Sequence, residues 1–173
     1  MELGERVDAL ERRLDAIESA GDDANSPLDG DFWALDGLKQ LLAGAGAADE
    51  GAGAPGGAVL FTGAVQLPTG EQYEWQYGEP TADVLEGDWP AAADSFAALG
   101  HTVRLRLLRE ILDGRRTALA LAELDGLGTT GQIYHHLRQL STAGWLRTSG
   151  RGRYEVPPER IVPLLVMMSA ARP

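Results

Sequence analysis

The sequence predicts an α+β chain that is mainly α, and three observations carry that expectation. Apolar residues recur at intervals of three and four over most of its length, the period of an amphipathic helix. The stretch 58–78 changes to a period of two around turn-forming residues, and 145–156 reads as two short strands around Gly150-Arg151-Gly152, as β-hairpins do. Between 43 and 57 neither period holds: AGAGAADEGAGAPGG has six glycines and one proline in fifteen positions and nothing to bury, so it reads as a flexible linker.

Bulk properties narrow the function. The 173 residues suffice for one domain or two small ones. With no cysteine, disulfides, thiolate zinc sites and cysteine nucleophiles are excluded. The longest apolar run, Ile161 to Met168 interrupted by Pro163, is far short of the ~20 residues of a membrane span. Met1 leads into an acidic segment without the basic and apolar regions of a secretory signal. A cytoplasmic protein with no membrane partner is expected. The net charge of -11 conceals an asymmetry: residues 1–96 hold four basic and twenty acidic residues, whereas 97–173 hold eleven arginines and six acids. An acidic N-terminal part joined to a nucleic-acid-facing C-terminal part accounts for this, and so does attraction between the two halves.

The elements follow in order. In residues 1–20, Leu3, Val7, Leu10, Leu14 and Ile17 alternate spacings of four and three, the seam of a short two-stranded coiled coil. That helix pairs with a second copy or packs on its own domain. A helix over 31–42 follows, with Trp33, Leu35, Leu38, Leu41 and Leu42 on one face and Asp29 or Asp31 as cap. After the linker, AVLFTGAVQLPTGEQYEWQY forms a hairpin around Pro68–Glu71, with Val59, Phe61, Val65 and Leu67 on one face of its first strand and Tyr73, Trp75 and Tyr77 on one face of the second. A lone hairpin is rarely stable, so this face packs on the upstream helix, on the C-terminal part or on a second copy. Phe61, Tyr73, Trp75 and Tyr77 also offer a face to a small organic effector or a partner protein.

From Asp88 the helical period returns. Trp89, Ala93, Phe96 and Leu99 form one face; HTVRLRLLREILDG places Val103, Leu107 and Ile111 inward beside Leu108 and Leu112; RRTALALAELDGLG forms a short helix with Leu119, Ala122 and Leu124 inward. TTGQIYHHLRQLSTAG is a further helix, capped by Thr129 or Thr130 and stopped at Gly144. Two helices joined by a glycine-containing turn make a helix-turn-helix, and WLRTSGRGRYEV adds a small hairpin with Arg147, Arg151 and Arg153 near its tip. PPERIVPLLVMMSAARP starts at a double proline and is apolar on nearly every side. One domain face does not hide all of it, so 158–173 is expected to hold a homodimer through Ile161, Leu164, Leu165 and Met168, with Leu10 and Leu14 adding a second contact.

ALGHTVRLRLLREILDG, TALALAEL, TGQIYHHLRQLSTAGWL and GRGRYEV, in that order, resemble the winged helix-turn-helix repressors of the ArsR type over residues 97–156. YHHLRQLSTAGWL is the most specific block. The resemblance implies a winged helix-turn-helix domain over 88–157 that binds double-stranded DNA sequence-specifically as a homodimer, often under an effector. The cysteine pair of the metal-sensing members is missing, so metal sensing is not implied, and no metal or other cofactor is expected. The excess of Gly, Ala, Leu and Arg over a single lysine fits a GC-rich coding sequence of the actinobacterial kind.

Within 130–143, the helix expected in the major groove, Ile133, Leu137 and Leu140 turn inward and leave Thr130, Gly131, Gln132, Tyr134, His135 and Arg138 outward. Gln132 suits adenine, Arg138 suits guanine or a phosphate, and Tyr134 and His135 offer hydrogen bonds or contact with a thymine methyl. Thr129 and Thr130 sit where helix N-terminal amides meet a phosphate. Arg147, Arg151 and Arg153 address phosphate or the minor groove from the wing, over 145–156. Arg104 is phosphate-binding or structural. His135 and His136, adjacent on a helix, do not chelate one ion. An inverted-repeat operator follows from a dimer. The competing class is an adaptor that uses the winged fold to hold another protein, which the net charge of -11 favours and the wing arginines disfavour. No Gly-rich phosphate loop, HExxH or supported Ser-His-acid set points to an enzyme.

Overall fold

A computed structural model describes residues 33–45, 56–150 and 152–172. Over these the chain is mixed α+β and mainly helical, with seven helices and two antiparallel hairpins. It divides into two compact units, Met1–Ala48 and Asp49–Pro173. In the first, helix α1 (Trp33–Ala45) extends three residues past the expected end at Leu42, into the Ala-rich start of the expected linker. Leu38 and Leu42 are half-buried and Trp33, Leu35 and Leu41 are exposed. The coiled-coil positions, including Leu10 and Leu14, and the linker from 46 to 55 lie outside the described residues.

The second unit begins with β1 (Ala58–Gln66) and β2 (Gln72–Pro80), paired antiparallel in the register Phe61↔Tyr77, Gly63↔Trp75 and Val65↔Tyr73. Directly opposed residues point to the same face, so the aromatic side chains lie together, with the Phe61 and Tyr77 rings 5.6 Å apart. The turn closes through Gly70 N–H donating to Leu67 O at 2.9 Å, with Pro68 at the corner. Five helices follow: α2 (Thr81–Glu86), α3 (Trp89–Leu99), α4 (Thr102–Leu112), α5 (Ala118–Ala122) and α6 (Thr130–Thr142). Strands β3 (Arg147–Ser149) and β4 (Arg153–Glu155) and helix α7 (Pro158–Ala170) complete the chain. Helix α2 falls in a stretch without expected structure, and the Trp89 indole N–H donates to Val84 O at its end.

One core joins these elements. Leu67 from the hairpin, Leu107, Leu108 and Ile111 from α4, Leu121, the inward side of α6, Trp145, Val156, Ile161 and Leu164 belong to a single buried cluster. The hairpin packs on the C-terminal part through α7. A Cβ at Gly63 would stand 2.6 Å from Val162 Cγ1, so only glycine lets α7 come this close to the strand. An ion pair adds to the joint: Arg116 Nη2 donates to Glu71 Oε2 at 2.5 Å, and Thr69 Oγ1 donates to the same oxygen at 2.7 Å.

Three expectations change. Ile161 and Leu164 are buried within one chain, because the hairpin covers the side of α7 that was assigned to a second copy; Leu165 and Met168 remain half-buried. The expected face of α3 holds only at its end: Leu99 enters the core with Ala98, whereas Trp89 and Phe96 are each 62% exposed and Ala93 is exposed too. In α5 Ala118 and Leu121 are buried, and Ala122 and the following Leu124 pack half-buried against the core as expected, but Leu119 is 75% exposed, since the helix is too short for its period to fix its rotation. No helix among the described residues is long and apolar enough to cross a membrane.

Candidate nucleic-acid interface

The candidate surface is built on α6. Its inner stripe, Ile133, Leu137 and Leu140, is fully buried against α3, α4 and α5. The outward residues Thr130, Gly131, Gln132, Tyr134, His135 and Arg138 are all exposed, so the stripe read from the sequence sets the orientation of the helix. Arg104 fixes its position. The guanidinium donates to Ala98 O (2.5 Å), to Ala97 O (2.7 Å) and to Gln139 Oε1 (2.7 Å), tying the end of α3 to α6. These three bonds give Arg104 a structural role.

The start of α6 carries a capping box. Thr129 Oγ1 accepts from Gln132 N–H at 3.4 Å, and Gln132 Oε1 accepts from Thr129 N–H at 2.8 Å. The preceding Gly128 has φ +90°, and a Cβ there would approach Gln132 Oε1 to 2.5 Å, so glycine serves both the turn and the cap. Gln132, assigned to adenine, therefore has its carbonyl oxygen committed to the backbone. Bidentate pairing with adenine needs that oxygen as well as the amide N–H2. The signal was present in the sequence: Thr129-x-x-Gln132 is the capping-box spacing.

The three histidines of the chain meet here. His101 caps α4, its Nδ1 accepting from Val103 N–H at 3.2 Å; its ring lies 4.7 Å from that of His136, which lies 5.8 Å from that of His135. Burial pushes the His136 pKa down, and the neighbouring His101 and Arg104 push it further. Its Nδ1 is buried without a hydrogen-bond partner among the described residues. Among the described residues no three His, Asp or Glu side chains are grouped to hold a metal ion. A groove of about 570 Å3 between α3 and α6 is lined by His135, Arg138, Thr142 and, on the α3 side, Asp94. Asp94 was not singled out in the sequence, and it sets a carboxylate beside the outward Arg138.

Strands β3 and β4 pair in the register Arg147↔Glu155 and Ser149↔Arg153. Arg147 Nε donates to Glu155 Oε1 at 2.7 Å, which holds the Glu155 carboxyl below its ordinary pKa and occupies one of the hairpin's arginines. Arg153 is exposed, and Arg151 lies outside the described residues. The hairpin is anchored from behind: Tyr154 N–H donates to Arg116 O at 2.6 Å, and the buried Trp145 donates its indole N–H to Ser95 Oγ at 3.1 Å beneath the Arg160 guanidinium.

The proposed effector residues are split. Phe61 and Tyr73 are half-buried, Trp75 and Tyr77 are exposed, and α7 of the same chain covers the middle of their face at Gly63. No protein-family model, no curated protein and no solved structure matches this chain.

Proposed function

We propose that the chain is a winged helix-turn-helix transcriptional regulator, similar to the ArsR type, that binds double-stranded DNA sequence-specifically as a homodimer and works in the cytoplasm on the nucleoid. The observation that carries this reading is α6: its inner stripe is fully buried while Thr130, Tyr134, His135 and Arg138 project as one exposed row, next in the chain to a hairpin that exposes Arg153. In the complex α6 enters the major groove. Arg138 and Tyr134 take the base-reading role first given to Gln132, and the N-terminal amides at Thr129 and Thr130 meet a phosphate. Arg153 and Arg151 hold the backbone, and Arg147 joins them when it exchanges Glu155 for a phosphate. The protein acts by binding and not as an enzyme. With Ile161 and Leu164 taken up inside one chain, the exposed Trp89 and Phe96 of α3 supply apolar surface for the second copy.

Fluorescence anisotropy with labelled duplex across a salt series tests this. DNA binding should weaken steeply with salt, and Arg153→Ala should lower the slope by roughly one unit without changing sequence preference. An adaptor reading is favoured by one observation: Asp94 faces the groove beside His135 and Arg138, where it repels phosphate. Anisotropy that does not change with duplex at low salt would favour the adaptor.

A further inference from the structure

Helices α4 and α7 and the β1–β2 turn bound an apolar groove of about 640 Å3, on a different part of the unit from the α6 row. Leu105 and Leu112 line one wall, Leu165 and Met168 the other, and Pro68 stands at the turn. These four wall residues are half-buried. The polar groups at this groove are Arg106, Arg109 and Asp113. Asp113 is engaged by Arg115 at 3.4 Å, and Arg109 makes no ion pair among the described residues. The rim therefore offers positive charge beside an apolar trough. Its volume lies in the usual range for small-molecule sites.

We propose that this groove binds an amphiphilic organic acid, with an apolar chain along Leu105, Leu112, Leu165 and Met168 and a carboxylate on Arg109 and Arg106. Charge selects the class. A guanidinium pairs bidentately with a carboxylate, whereas a cationic amphiphile would meet the arginines with like charge. Arg106 extends the consequence to α6. Its Nη1 donates to Asp125 O at 2.7 Å, in the turn between α5 and α6. A carboxylate in the groove competes with that carbonyl for Arg106 and loosens the turn from which α6 starts. This regulatory step rests on the DNA-binding reading; the binding site itself does not.

Isothermal titration calorimetry on the full chain, with sodium decanoate as probe, tests the site without DNA. Decanoate should bind saturably, one per chain, and roughly tenfold or more tighter than decyltrimethylammonium, which has the same tail and opposite charge, or acetate, which lacks the tail. Arg109→Gln, at an exposed position, should keep the circular dichroism of the wild type and weaken decanoate by a similar factor. Equal binding of decanoate and decyltrimethylammonium, no saturable heat, or full binding by Arg109→Gln overturns the proposal. A chain that sediments as a dimer, becomes a monomer in Met168→Glu and gives no heat with decanoate assigns the groove to a second copy and overturns it as well. In a separate arm, saturating decanoate should weaken binding to duplex DNA. Unchanged DNA affinity overturns the coupling through Arg106, whereas absence of DNA binding in either condition is a failure of the DNA reading alone.

Discussion

Helices α6 and α7 are each thirteen residues long, yet their sequences determine burial to different degrees. In α6 the apolar residues form a single stripe, and one stripe specifies one buried face. In α7 apolar residues run around most of the helix, so the sequence states that it must be covered and leaves open by what. The answer lies about a hundred positions upstream, in the hairpin whose Gly63 admits Val162. A polar face carries as much orientational information as an apolar one.

The largest effects should break the core from either side. Leu137→Ala on α6 and Leu164→Ala on α7, both at nearly fully buried positions, should each cost about 2–5 kcal/mol in urea unfolding. A loss under about 1 kcal/mol at Leu164 alone would mean that α7 does not belong to the core of one chain. Next comes the hairpin contact. Gly63→Ala should destabilise by about 1–3 kcal/mol, and adding Val162→Ala should recover part of that loss by removing the methyl group in its way. Additive losses in the double mutant would break the assignment of the hairpin to α7.

The start of α6 gives a smaller test. Thr129→Ala should cost about 1 kcal/mol through the lost cap. Gln132→Ala should also loosen the helix start, with little change in DNA preference; a selective loss of specific binding at unchanged stability would return Gln132 to the bases. The smallest effect is on pH. His136 is held neutral by burial, with His101, Arg104 and His135 adding positive charge around it. Its folded pKa lies below the unfolded value of 6.5, so its contribution is full above that value and is lost as pH falls through it toward the folded pKa. The unfolding midpoint should drop between pH 7 and 5, and the drop should be smaller in His136→Gln.

The inward residues of α6, the hairpin strands, the glycine-bearing turn and the cap at Thr129 were legible because each rests on local chemistry: a period, a side-chain acceptor, a residue tolerant of positive φ. Where the sequence misled, long-range contacts decided. Trp89 and Phe96 share the spacing of a core face with Leu99, but of the three only Leu99 reaches the core, with Ala98 beside it. Leu119 was placed inward on a helix of five residues, which has too few turns for periodicity to choose a side. The partnership of Glu71 with Arg116 joins residues 45 positions apart, and the Arg106 bond to Asp125 O joins two elements through a backbone carbonyl that carries no sequence signature.

The claim that α6 reads DNA is tested most directly by selection from a pool of randomised duplexes, with the wild type and Arg138→Ala in parallel. The wild type should enrich an inverted repeat whose half-sites lie about one helical turn, ~34–36 Å, or a multiple of it apart. Arg138→Ala should lose the preference at one position in each half-site. A wild-type pool that stays as random as one selected without protein would contradict DNA reading by α6.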